Sequence, residues 1–214
     1  MCNLYSIISS QAAIRQLVRA MRDLTGNLPP QPAVFPDMLA PVVRTAADGV
    51  RELTMMRWGF PPPMNANASL VTNVRNTRSH WWKPWLMASH RCLVPVTSFC
   101  EWTDTKPKVT HWFALGKSRP LFFFAGIWRP WTGVRGTKAD RAVGDQLLFS
   151  FLTTAANATV APIHAKAMPV LLLTEADRET WLNGSVDAAL ALQRPAADDV
   201  LRIVATGGKT DPLL

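Results

Sequence analysis

Hydrophobic positions along the chain recur with two different periods. Ile14, Leu17, Val18 and Met21 stand at i, i+3, i+4 and i+7, the spacing of one helix face. Ser9 and Ser10 offer caps ahead of them, and Gly26 and Pro29-Pro30 break the pattern behind. A helix from Ser9–Ser10 through Met21 is therefore predicted. Thr174 is predicted to begin a second helix running through Leu182, with Asp177 at the reciprocal capping position, and helical character continues over Ser185–Leu192. Elsewhere the apolar runs are short and bounded by Pro or Gly. They predict strands at Ala40–Arg44, Leu53–Trp58, Cys92–Val96, His111–Leu115, Leu121–Trp128 and Leu147–Thr153, with a last strand in VLRIVA. LFFFAGIW and LLFSFLTT are apolar almost without interruption, as strands buried on both faces are. Arg78–Ala88 also reads as helical, but Pro84 makes it short or kinked. Arg129–Asp145 reads as a long exposed hairpin loop.

Many short strands and few helices imply an α+β fold: a curved, largely antiparallel, barrel-like sheet with flanking helices. With 214 residues, 48% of them hydrophobic and 18% charged, the chain is expected to form a single globular domain over residues 1–214. No run approaches the roughly 18 apolar residues of a membrane span, and the N-terminus has no secretory pattern. A cytoplasmic protein without membrane partners is the expectation, and nothing calls for more than a monomer.

Charge narrows the class of partner. Lys and Arg number 23 against 15 Asp and Glu, a formal net charge of +8. Acidic residues are missing from Leu53 through Cys100 and again from Thr105 through Ala139, while Lys and Arg continue through both windows. One basic face or groove follows, suited to a polyanion. Trp81, Trp82 and Trp85 fall inside the first window, where they serve either to stack bases or to pack a helix face.

Candidate chemistry is sparse. The 3 cysteines, Cys2, Cys92 and Cys100, form no disulfide framework. His90, Cys92, Cys100 and His111 lack the short spacing of a zinc site, so neither metal nor cofactor is expected and Cys92 and Cys100 read as buried strand thiols. Cys2 taken alone is a small apolar residue. Removal of Met1 would instead give it an α-amine and a thiol on one residue. Glu101 lies between Phe99 and Trp102 in SFCEWTD, either paired with Arg or held with a raised pKa suited to proton transfer. His164, in APIHAKAMPVLLL, precedes an apolar strand. Asn73 and Arg75 stand two apart in VTNVRNTRS. On an extended segment they share a face, an amide beside a guanidinium able to clamp a phosphate.

Together MCNLYS, RWGF, TNVRNT, RCLVP, FCEW and IHAKAMPVLL, in that order, resemble the SOS-response-associated peptidase family, also known as abasic-site processing proteins. The resemblance covers nearly the whole chain. It implies a protein that binds single-stranded DNA in the DNA-damage response and covalently traps abasic sites through Cys2 after loss of Met1. By the same resemblance Asn73 positions the adduct, Glu101 and His164 carry protons, Arg75 contacts phosphate and Trp102 shapes the DNA site. Lys166 stands where many relatives carry an arginine and would contact phosphate without the bidentate fork. Two rival readings make different predictions. An N-terminal-nucleophile cysteine peptidase would hydrolyse amides without DNA, and a non-covalent single-stranded DNA binder would not need Cys2.

Overall fold

The computed structural model describes residues 2–63, 70–136, 138 and 141–212. Two β-sheets dominate it. The larger has nine strands among the described residues. Five of them (Ala142–Thr154, Phe122–Arg135, Arg91–Val96, Leu39–Thr45 and Arg51–Trp58) follow one another in antiparallel pairs. A short parallel pairing, Leu148 with Arg57 and Phe149 with Trp58, then closes them into a barrel. The second sheet is antiparallel, with five strands in the order Arg202–Thr206, Thr110–Ala114, Ser98–Trp102, Tyr5–Ile7 and Gln31–Val34. The mixed α+β, barrel-like expectation is met.

Alternation along the strands decides what lies between the sheets. Tyr5, Phe99 and Phe113 face the barrel and join Trp58, Phe124 and Phe151 in the main core. Tyr5 meets Trp58 edge-on at 5.2 Å between ring centroids, and Phe124 lies 4.7 Å from Phe151. Each such buried ring contributes about 1.5–3 kcal/mol relative to exposure. Leu4, Cys100 and Trp112 point to the outer face, where Phe35 and Trp102 pack on them.

Two helices behave as their caps predict. Thr174 Oγ1 accepts from the Asp177 N–H at 3.0 Å and Asp177 returns the bond to the Thr174 N–H, opening the Glu175–Asn183 helix. Trp181 from this helix donates its indole N–H to the carbonyls of Cys92 and Gly126, at 2.9 and 3.0 Å, fastening helix to barrel. Gly126 is required there, because an added Cβ would stand 2.7 Å from Cys92 Sγ. Val186–Leu190 forms the next helix.

Three expectations are corrected. The first helix covers only Gln11–Val18, capped by Ser10, and Arg19 leaves it with φ +52°. Met21 is 80% exposed, because the chain turns there to pair Arg22–Asp23 with the Arg51–Trp58 strand. The Arg129–Asp145 segment is mostly strand, not loop: the ladder runs unbroken to Arg135 opposite Ala142. The Arg135 guanidinium and the Gly136 N–H anchor its far end to the Asp37 carboxylate, at 2.8 and 2.9 Å. Arg78–Ala88 holds no α-helix, only a single-turn 3₁₀ segment at Lys83–Leu86 before another at Ala88–His90. There Trp81, Trp82 and Trp85 crowd around Phe60, so packing takes up these rings. No described helix is long and apolar enough to cross a membrane.

Candidate active site

The sheet seam gathers residues from five stretches of sequence. Tyr5 pairs with Phe99, and the Cys100 N–H donates to the Leu4 carbonyl at 2.9 Å. Continuing that antiparallel register brings the first residues of the chain alongside Glu101. Cys2 is 1% exposed and its thiol donates weakly to the Leu4 carbonyl, at 3.5 Å. From the barrel side, Asn73–Val74 pairs in parallel with Phe151–Leu152. This fixes the Asn73 amide so that Nδ2 donates to the Cys2 carbonyl at 2.8 Å and to Thr72 Oγ1 at 2.8 Å. Thr72 Oγ1 in turn donates to Asn3 Oδ1 at 3.1 Å. His164 enters from the turn-rich segment after the Ala142–Thr154 strand, held by its N–H to the Val160 carbonyl. Its Nδ1 lies 4.0 Å from Glu101 Oε2.

Burial tunes these groups in useful directions. Desolvation pushes the Glu101 carboxyl from its ordinary 4.5 up to about 7, so near neutrality it can both give and take a proton. Desolvation also lowers the His164 pKa, aided by the positive charges of Lys166 and Lys108, which favours a neutral imidazole. The Cys2 thiol is pushed well above its usual range by burial and by the Glu101 charge, leaving it protonated at rest. Glu101 Oε1 and Asn73 Oδ1 are both buried without a hydrogen-bond partner among the described residues. Unpaired buried acceptors cost about 1–3 kcal/mol each. At a catalytic centre that cost suits acceptors reserved for a ligand.

Glu101 and His164 open onto a cavity of about 700 Å3 whose lining also includes Asn3, Thr72, Trp102 and the Phe35–Pro36 turn. The structure thus brings Cys2, Asn73, Glu101, His164 and Trp102 together. Arg75 is separate: the Asn73–Val74 strand ends before it, and it lines a second cavity with Arg78 and Gln193. Lys166 is exposed two residues beyond His164. Of the sulfur and imidazole groups with imperfect zinc spacing, Cys92 sits in the barrel and Cys100 on the outer face of the other sheet. The described residues hold no group of three or more potential metal ligands.

Asn3 and Thr72, each adjoining a residue that the sequence singles out, carry no role of their own in the sequence pattern. Lys108 and Lys209, which stand in no motif, line the same cavity.

The family model for SOS response associated peptidase (SRAP) matches residues 1–207. The chain belongs to this family. Among SRAP relatives, the abasic site processing protein YoqW of Bacillus subtilis (strain 168) is 32% identical over 140 residues, covering 61% of this chain. YobE of the same organism, also named an abasic site processing protein, is 31% identical over 142 residues, again 61% of this chain. The matched stretch spans 57% of the length of YoqW and 58% of YobE. Two crystal structures share the SRAP chain's fold. One, from Bacteroides thetaiotaomicron, gives a TM-score of 0.71 at 22% identity over 94% of this chain and 90% of that one. The other, from Bordetella bronchiseptica, gives 0.72 at 18% identity over 96% and 98%.

Proposed function

We propose that this protein binds single-stranded DNA and captures abasic sites covalently through Cys2 once Met1 has been removed. The observation that carries the reading is the convergence of Cys2, Asn73, Glu101 and His164 at one seam beside an open cavity. The naming of relatives as abasic site processing proteins supports it.

The chemistry follows from the groups present. An abasic sugar opens to an aldehyde, and an α-amine of pKa about 7.7–8 is substantially neutral at physiological pH, unlike a lysine at about 10.4. The Cys2 amine adds to the aldehyde carbon, and loss of one water leaves an imine. The thiol sulfur then bonds to that same carbon, the imine nitrogen takes up a proton, and a five-membered thiazolidine results. Closure within one residue benefits from the high effective molarity of an intramolecular reaction. Because burial keeps the thiol protonated, the second step needs a base nearby. Glu101 and His164 supply it, and the same pair assists sugar opening and departure of water. Asn73 holds the Cys2 carbonyl and so aims the amine.

The test is a denaturing gel of the protein with single-stranded DNA carrying one abasic site, with intact DNA and Cys2→Ala as controls. A heat-stable band seen only with abasic DNA and intact Cys2 supports the reading. Its absence, with mass spectrometry showing Met1 removed, refutes the reading and favours a peptidase, which would cleave amide substrates without DNA.

A further inference from the structure

We infer that Lys108 and Lys209 form a two-point clamp at the cavity for the phosphates of the bound strand, and that the C-terminal segment is built to hold Lys209 there. This rests on the reading above and adds to it the residues that grip the strand at the site itself. Arg75 lines a different cavity.

Both lysines line the cavity of Glu101 and His164, and both are exposed. Neither has an ion-pair partner among the described residues, whereas Arg44, Arg51, Arg119 and Arg135 are each committed to a carboxylate of the scaffold. Asp104 lines the same cavity, so the lip is not uniformly cationic, but the two ammonium groups outnumber it there. Uncommitted cations beside buried catalytic groups are suited to an anion that arrives with the substrate.

Each lysine sits on a braced turn. The loop bearing Lys108 is closed by the Thr103 N–H on the Val109 carbonyl at 3.0 Å and by the Val109 N–H on Thr103 Oγ1 at 2.9 Å. The segment bearing Lys209 is pinned on both sides. Before it, the Gly208 carbonyl accepts from Thr110 Oγ1 and Trp112 Nε1, at 2.8 and 3.0 Å. After it, the fully buried Asp211 carboxylate takes Arg119 Nη2 and Nε, at 2.8 and 3.2 Å, and Ser98 Oγ, while its N–H donates to the Pro32 carbonyl. Burying an Asp–Arg pair is costly in desolvation. Its consequence is that Lys209, which lies past the 1–207 stretch shared with the family, is delivered to the cavity.

The experiment measures fluorescence anisotropy with single-stranded DNA in which a tetrahydrofuran replaces the abasic sugar. This probe has no aldehyde, so it reports grip without covalent capture. Affinity is followed against salt for the unmodified protein, Lys108→Ala, Lys209→Ala, the double variant and the Lys→Arg pair. Each alanine should weaken binding severalfold and lower the slope of log K against log salt by about 0.7, the double variant by about 1.4, while the arginine pair keeps the slope. A double variant with an unaltered slope overturns the proposal. So does a loss that the arginine pair fails to restore. The abasic gel is run alongside: if the unmodified protein forms no covalent band, covalent capture fails while the slopes still judge the lysines.

Discussion

Replacing Glu101 with Gln should stabilise the fold while removing its reactivity. The side chain is 1% exposed, and Oε1 accepts no hydrogen bond from the described residues. Burial lifts the carboxyl from 4.5 to about 7 in the native state. A folded pKa above the unfolded one means that the native state holds the proton more tightly. The associated stability is complete below about pH 4.5 and is lost as pH rises through about 7. Above pH 8 the buried carboxylate is charged, and the gap of about 2.5 in pKa corresponds to about 3 kcal/mol. Glutamine carries no charge at any pH and avoids this penalty. The stability difference between Glu101→Gln and the unmodified protein should therefore be near zero at pH 4 and grow to about 3 kcal/mol at pH 8.5, a rise in Tm of roughly 6–12 °C. Urea unfolding at several pH values measures the difference directly, and taking it between the two proteins cancels the titrating groups that do not interact with Glu101. Covalent capture by the same variant should fall sharply at all pH values. A stability gap that stays flat with pH, or a variant less stable at pH 8.5, would refute the assignment of Glu101 as a desolvated proton carrier.

Cys2→Ala keeps an α-amine after loss of Met1 but no sulfur, so it should give a covalent band with abasic DNA only when borohydride is added to reduce the imine. Asp211→Ala leaves Arg119 buried and unpaired, and should cost about 3–5 kcal/mol, read as a lower urea midpoint. Gly126→Ala forces a methyl to 2.7 Å from Cys92 Sγ and 2.9 Å from a Val94 methyl, and should destabilise by about 1–3 kcal/mol in thermal unfolding.

Much of the site is legible in the sequence because its chemistry travels in short unbroken motifs. Glu101 stands out as a carboxylate among aromatics, and its neighbours fix its burial. Cys2 and Asn73 are legible through resemblance, but the bond between them joins a strand of the larger sheet to the segment ahead of the Tyr5–Ile7 strand of the other, and no local pattern carries it. Thr174 and Asp177 announce a helix because a capping box is a local device. The first helix reads too long because Met21 continues its apolar spacing. What stops it is pairing with a strand distant in sequence. The Arg129–Asp145 arm reads as loop because its residues alternate toward solvent. Backbone ladder bonds and the Arg135–Asp37 pair hold it, and neither shows as hydrophobic pattern. The Tyr5–Ile7 strand is too short for any periodicity, yet it lies in the interior of its sheet. Lys209 is placed by Asp211 and Arg119, 92 positions apart, which is the kind of non-local bond a sequence conceals.

The position of Tyr5–Ile7 between Gln31–Val34 and Ser98–Trp102 has a consequence for the order of events during synthesis. Cys2 lies just ahead of this strand, which has no complete slot until the chain has been made past Trp102. His164 follows later still. Under the proposed function, an emerging chain carries the Cys2 amine and thiol without Asn73 to aim them or Glu101 and His164 to move protons. Under that function, chemical competence is acquired as translation proceeds: Cys2 becomes reactive only when segments made after it enclose it.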